Sequence, residues 1–405
     1  MSQGGRSGVA GPPQRNFGLD LLRAIAILMV LANHALLGFL VWLGHVSWTG
    51  WVAGASMVTF LGIEWLFVLS GFLIGTMMIR SFEAGSTWWA RAKEFWLRRW
   101  FRTMPNYYLF LLVNIFATAV GIGQGVYSVK HALFAQNLAW REPTPFFYNE
   151  AWSLALDEWF YLVMPLLVGL AGWASRLKPR TTFLLVALTL IALPAAARFA
   201  YLPASGLHEW DQTVRRVTIF HLDATGWGVL GAITSRWWPN FWSRGVRAKA
   251  TLGLAAVVLG CYLVESYHFG GWLLERAPRL NNLLSLTLPA AGTLLALPWI
   301  VSLRPRGGGF GWAVDRISAY SYSIYLCHIP LMYVLGAALT PEERLSGAAV
   351  WTQTVIWLLL VFPVAALVHH SFEKPVSDLR ERFTRKVDAS PFSAPASPAP
   401  PALPP

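Results

Sequence analysis

Arg23 and His34 stand eleven positions apart in the apolar stretch FGLDLLRAIAILMVLANH at 17–34. At 100° per residue, eleven steps bring a helix almost back to the same face, with a rise of about 16 Å. One face then shows a guanidinium near the start of an apolar span and an imidazole deeper in it. Ionisable groups are expensive in hydrocarbon, so they face a bundle interior or a wet cavity. Glu64 lies in GIEWLFVLSGFLIG, Asp157 and Glu158 in WSLALDEWFYLVMP, and His328 in SYSIYLCHIPL, all within apolar runs. An imidazole that titrates near neutrality, held and oriented by a carboxylate, is what a general acid–base site requires. The segment RRWFRTMPNYY at 98–108 offers different chemistry. Arg99 and Arg102 are three apart and share a helix face, and paired guanidiniums suit phosphate groups.

The elements that must carry these residues are membrane helices. The chain has 405 residues, 55% hydrophobic and 13% charged, with a mean hydropathy of +0.47. Soluble domains carry about 25% charged residues. Many of the 22 tryptophans sit beside span ends, as an interfacial belt requires. Apolar spans are expected at about 18–42, 55–79, 104–122, 150–172, 181–200, 217–234, 250–265, 283–302, 317–339 and 349–370. The fourth is weakened by Asp157 and Glu158, and the sixth and seventh are short. With the N-terminus inside, 24 of the 32 Lys and Arg residues fall on inside segments. This bias predicts an all-α integral membrane bundle of about ten transmembrane helices with N- and C-termini cytoplasmic. Residues 1–16 read as a disordered lead, 17–386 as the transmembrane domain, and 387–405 as a disordered Pro/Ala/Ser-rich tail. The long first apolar run lacks a cleavage pattern, so the first helix is expected to stay.

This topology assigns depth. Arg23 falls near the cytoplasmic side and His34 past the midplane. Glu64, Asp157 and Glu158 fall in the outer half, and His328 near mid-membrane. The carboxylates are expected to gather near His34, although adjacent Asp157 and Glu158 point about 100° apart and at most one faces it. Arg98, Arg99 and Arg102 are expected at the cytoplasmic mouth of the third span. Each feature also has a structural reading: arginines as topology signals, a span histidine as a hydrogen-bonding residue, and Glu64 as a helix-packing contact. His45, His208 and His268 read as solvated loop residues. No spacing suggests a zinc site, and GGG at 307–309 reads as a turn rather than a phosphate loop. The net charge of +12 falls in short clusters between spans, which argues against nucleic acid. Cys261 and Cys327 lie in apolar runs and form no disulfide framework.

Several of these motifs, in order, resemble the acyltransferase-3 family of integral-membrane O-acyltransferases, most of which modify carbohydrates. LDLLRAIAILMVLANH is similar to its opening helix, and GIEWLFVLSGFLIG to its second, where the family usually has Asp in place of Glu64. RRWFRTMPNYY resembles its Arg-x-x-Arg element. ALFAQNL and WSLALDEWFYLVMP resemble its mid-chain segment, where the family normally has Glu in place of Asp157. SYSIYLCHIPL and FEKP at 372–375 resemble its ending. The resemblance covers roughly 15–375. Many relatives add an extracytoplasmic hydrolase-like domain, in whose place this chain shows the Pro-rich tail.

The resemblance implies an enzyme that moves an acyl group, in the first instance acetyl, from acyl-CoA to a hydroxyl of a glycan, lipid-linked sugar or similar acceptor. It implies a multi-pass protein of the plasma (bacterial inner) membrane, with acyl-CoA as donor substrate and no permanently bound cofactor. Arg23, Arg99, Arg102 and, deeper, His328 would hold the donor. His34 would act as base or acyl carrier, with Glu64, Asp157 or Glu158 orienting it. Asn33, Tyr161 and Ser70 are open choices for the oxyanion donor. The alternative reading is a transporter or flippase of a lipid-linked sugar or lipid, without acyl transfer.

Overall fold

In the computed structural model, residues 15–35, 50–83, 88–175, 177–202, 206–305, 308–339 and 347–383 are described. Nearly all of the expected lead and all of the tail lie outside them. Ten long helices follow one another: α1 Phe17–Asn33, α2 Gly50–Glu83, α3 Trp88–Ala119, α4 Ala151–Ser175, α5 Pro179–Ala200, α6 Asp223–Trp237, α7 Val246–Phe269, α8 Pro278–Ser302, α9 Gly309–Leu339 and α10 Gly347–Val368. There is no strand among the described residues. Each of the ten expected spans overlaps one of these helices, with residues 36–42 of the first lying outside the described residues. Seven (α2, α4, α5, α7, α8, α9 and α10) are long and apolar enough to cross a membrane. Among the described residues α1 has 17 residues and α6 has 15, while the apolarity of α3 is diluted by its arginines, Asn106 and Asn114. Large apolar side chains such as Leu112, Phe116, Leu170, Leu193, Val258 and Leu367 are exposed on these helices. They form the surface a hydrocarbon solvent requires.

Three expectations about the spans change. The fourth is not weak, because α4 satisfies the apolarity criterion despite Asp157 and Glu158. The seventh is not short, since α7 runs for 24 residues. The third begins at Trp88 rather than near 104. Arg99 therefore lies eleven residues, about 16 Å, from the start of its helix.

The core is built where α1 and α6 pack on α2, and α9 packs on α1. Glycines allow the closest approach. A Cβ on Gly71 would lie 2.0 Å from the Thr225 carbonyl oxygen, and one on Gly228 would lie 2.1 Å from that of Val68. Small residues at membrane-helix crossings let backbones meet in this way. Behind this contact, α5 and α6 are joined by a buried ion pair. Arg198 places Nη1 2.7 Å from Asp223 Oδ1 and Nη2 2.6 Å from Oδ2, and Nη2 also donates to Thr287 Oγ1 at 2.9 Å. Neither side chain is more than 1% exposed. Breaking such a pair by removing one partner leaves a buried charge and costs about 3–5 kcal/mol. Asp223→Ala is therefore expected to lower the thermal midpoint of the detergent-purified protein markedly. An unchanged midpoint would show that water compensates the arginine.

Candidate active site

A cavity of about 650 Å³ opens among α1, α2, α3, α4 and α9. Arg80, Arg91, Arg98, Arg99, Arg102, Arg23 and Arg380 line it, against the acids Glu94, Asp157 and Glu158. Its apolar wall comes from Ile27, Ile63, Leu66, Phe67, Leu69, Leu73, Met77, Met78 and Phe95. The sequence places these residues together because α2 is an almost wholly apolar helix facing α3, whose first half is arginine-rich. The result is a slot with a strongly cationic rim and a hydrophobic bore.

Arg99 organises the middle of this slot. Its Nη2 donates to the Tyr161 hydroxyl at 2.6 Å, and its guanidinium lies 4.1 Å from the Tyr161 ring centroid. The Tyr161 hydroxyl meets Ser70 Oγ at 3.0 Å, and the Asp157 carboxyl lies beside both Ser70 and Tyr161. Glu158 lies beside Thr103 and in the field of Arg99. Both carboxylates thus face the arginine slot. Arg23 lines the same slot and lies 3.7 Å from Asp20, which Arg15 also binds at 2.7 Å. Arg102 stays accessible on the lining. Arg380, from the short helical turn Leu379–Arg382 after α10, was not singled out in sequence because it lies in a polar tail-like segment.

The slot does not reach His34. Along α1 it reaches Arg23 and Ile27, two turns or about 10 Å short of His34. On the other wall it ends at Ser153 and Tyr325, whose hydroxyls meet at 2.6 Å. Beyond Tyr325 lies a pair of imidazoles. The Tyr325 and His328 ring centroids are 5.6 Å apart, and His328 meets His34 edge to face at 4.8 Å. His34 places Nδ1 2.9 Å from the Val30 carbonyl oxygen, and His328 places Nδ1 2.6 Å from that of Tyr325. Each backbone carbonyl takes the Nδ1–H, which leaves Nε2 of both rings as the free lone pair. The helix winds wider, with π-type bonds, at His34 and Ala35, a local irregularity often seen at functional sites.

This arrangement departs from the expected one in two respects. Among the described residues, no carboxylate hydrogen-bonds His34. Asp157 and Glu158 line the slot with Arg99 and Arg102, where α3 packs on α4. Glu64 is fully buried and binds His221, with Oε1 2.9 Å and Oε2 3.0 Å from Nε2. His328, expected among the donor-holding residues, lies against His34 instead. Its burial at mid-helix was legible in sequence, but its partner was not.

His221 was missed in sequence, although an ionisable residue in the apolar-flanked TIFHLDATGWGVLG carries the same signal as His34. Its Nδ1 lies 2.7 Å from the Arg215 carbonyl oxygen, and its ring stacks on Trp152 at 6.3 Å. The Glu64–His221 contact therefore fixes the backbone of Arg215 to α2. Glu64→Ala is expected to destabilise the protein by about 1–3 kcal/mol, the cost of a buried donor left unpaired. Glu64→Gln, which keeps an acceptor, should lose less. Thermal melts of the three proteins rank them, and equal midpoints would assign the contact no energetic role.

The comparisons agree with one another. A chain from Bacillus subtilis (strain 168) named putative peptidoglycan O-acetyltransferase YrhL is 24% identical over 397 residues, covering 91% of this chain and 56% of its own length. Peptidoglycan O-acetyltransferase OatA of Listeria monocytogenes is 26% identical over 397 residues, covering 88% of this chain and 55% of its own. A putative O-acetyltransferase of Staphylococcus aureus (strain COL) is 24% identical over 340 residues, covering 78% and 50%. The chain thus spans about half the length of the curated relatives it matches. No solved structure matches. The family described as acyltransferase domain matches residues 16–370, which include α1 through α10 and every side chain of the slot except Arg380. The chain belongs to the acyltransferase-3 family.

Proposed function

We propose that the protein is a membrane-bound O-acyltransferase that takes an acyl group, acetyl in the first instance, from acyl-CoA and passes it to a hydroxyl of a glycan. The observation that carries this reading is the shape of the slot: a cationic rim, an apolar bore, and an inner end one side chain from a pair of imidazoles. The phosphates of CoA match the arginines at the rim, Arg102 among them, with Arg99 and Arg23 deeper in, because bidentate guanidiniums suit phosphate oxygens. The thin pantetheine arm matches the bore. The thioester then comes to Ser153, whose hydroxyl is an O–H donor for the developing oxyanion once Tyr325 releases it. The ten helices cross the membrane ten times with both ends cytoplasmic, in the bacterial inner membrane, so that the rim faces the cytosolic pool of acyl-CoA. The relatives' names support a peptidoglycan-type acceptor.

His34 serves as general base. Its free Nε2 takes the proton of the acceptor hydroxyl while the hydroxyl oxygen attacks the thioester carbonyl. The tetrahedral intermediate collapses, the C–S bond breaks, and the CoA thiolate takes the proton back from His34. Tyr325 separates the imidazoles from the slot, so its side chain must turn aside for the reacting atoms to meet.

The test uses the full chain in detergent with radiolabelled acetyl-CoA and a soluble peptidoglycan fragment. Label is expected in the glycan without any sealed compartment. Activity seen only across a closed bilayer, with acetyl-CoA unconsumed, would favour the transport reading instead.

A further inference from the structure

Near His34, and outside the slot, lies a second cationic group. Asp211–Arg215 forms a short π-helical turn just before α6. Arg215 is only 8% exposed, and its guanidinium lies 4.9 Å from the Trp152 ring centroid and 5.2 Å from that of Phe60. Its Nη1 donates to Asp211 Oδ1 at 2.7 Å. Its Nε and Nη2 are buried without a hydrogen-bond partner among the described residues. Arg216 shares the same carboxylate through Nε at 2.7 Å and also donates to Asn149 Oδ1 at 2.9 Å. Burial pushes the Asp211 carboxyl up, but Arg216 and Arg215 outweigh it and hold it at about 2. One carboxylate therefore faces two guanidiniums, and the group keeps a net positive charge. Both arginines stand within electrostatic reach of His34, yet neither lines the slot.

A buried cation with idle donors is expensive unless something satisfies it. Nε–H and Nη2–H are the parallel donors of one guanidinium edge, the fork that grips a carboxylate or phosphate with two hydrogen bonds. The fork is also held in place. The Arg215 carbonyl oxygen binds His221, and the Arg216 carbonyl oxygen accepts from Asn137. Such preorganisation lowers the entropy lost on binding. Trp152 supplies an apolar aromatic wall beside it.

We propose that the side-on edge of Arg215 binds an anionic group, a carboxylate or a phosphate, carried by the acceptor glycan, and thereby sets the acceptor beside His34, outside the donor slot. The substrate class is thus an acidic or phosphorylated glycan rather than a neutral one. The proposal rests on the reading of His34 as the transfer point, but its test needs no catalysis.

Equilibrium dialysis of the full chain in detergent compares two pairs of labelled probes. One pair is the disaccharide N-acetylglucosaminyl-N-acetylmuramic acid and its methyl ester. The other is N-acetylglucosamine 1-phosphate and free N-acetylglucosamine. At least one anion is expected to bind tenfold or more tightly than its neutral partner, and the preferred pair identifies carboxylate or phosphate. Arg215→Gln should abolish the preference, and Arg215→Lys, which keeps the charge but not the fork, should retain part of it. CoA binding should be unchanged in both variants, which also shows that they fold. If Arg215→Gln does not fold, the partial loss in Arg215→Lys is the deciding result. Equal binding of each anion and its neutral partner would overturn the proposal, as would a preference that survives intact in both variants. A His34→Ala protein that still transferred acetyl groups would refute the catalytic reading and leave this binding result standing.

Discussion

His34→Ala is expected to lower acetyl transfer by about 10²–10⁴-fold, the range a positioned general base contributes. Acetyl-CoA binding should stay within a factor of two or so. The separation follows from the geometry. His34 does not line the slot, so its removal leaves every donor-holding contact in place. It sits at the far side of Tyr325 and His328, where the acceptor hydroxyl must meet the acyl carbon. Its Nδ1 is committed to the Val30 carbonyl oxygen, so Nε2 is the atom that works. His34→Gln keeps a polar side chain of similar reach but no titratable nitrogen, and should be as inactive. Wild-type turnover in either variant would remove His34 from the mechanism. A parallel loss of acetyl-CoA affinity would assign it to the donor site instead.

Arg99→Ala is expected to raise the KM for acetyl-CoA by about 10–100-fold, since a hydrogen bond to a charged group is worth about 1.5–3 kcal/mol and each 1.4 kcal/mol is tenfold. Arg99 is the cation on which the slot is centred. It donates to the Tyr161 hydroxyl, covers the Tyr161 ring and faces Asp157 and Glu158. Removing it withdraws a phosphate partner and leaves two carboxylates, half-buried Asp157 and buried Glu158, to repel the donor. Arg99→Lys retains the charge without the fork and should fall between wild type and alanine. Steady-state kinetics with acetyl-CoA as the varied substrate separate the three. An unchanged KM in Arg99→Ala would mean that the CoA phosphates lie elsewhere along the rim.

Much of the architecture was legible because a membrane solvent writes plainly. Apolar runs of about twenty residues marked all ten long helices, and Arg23 and His34 were visible as ionisable groups on one face. Other features depend on where a helix begins and which neighbour it meets. The start of α3 at Trp88 lies in a tryptophan- and charge-rich stretch that hydropathy does not recognise, so the helical turns that carry Arg99 were not seen. The packing of α3 on α4 then brings Asp157 and Glu158 to the arginines rather than to His34. Glu64 was correctly seen as buried, but its partner His221 lies 157 positions away, and no local spacing links them. The two imidazoles His34 and His328 come from α1 and α9, so their 4.8 Å contact is likewise a product of packing alone. Nothing in the sequence singles out Arg215, and only the fold shows that it is buried with the N–H groups of Nε and Nη2 idle.

The most direct test of the central claim, that the acyl end of the donor travels down the arginine slot to the imidazole pair, is photo-crosslinking with a diazirine-tipped acyl-CoA followed by mass spectrometry of the full chain. The account predicts label on Ile27, Ser153 and Tyr325 at the inner end of the slot and on His34 or His328 just beyond it, competed away by acetyl-CoA. Label confined to lipid-facing side chains such as Leu193 or Val258, or unaffected by acetyl-CoA, would contradict it.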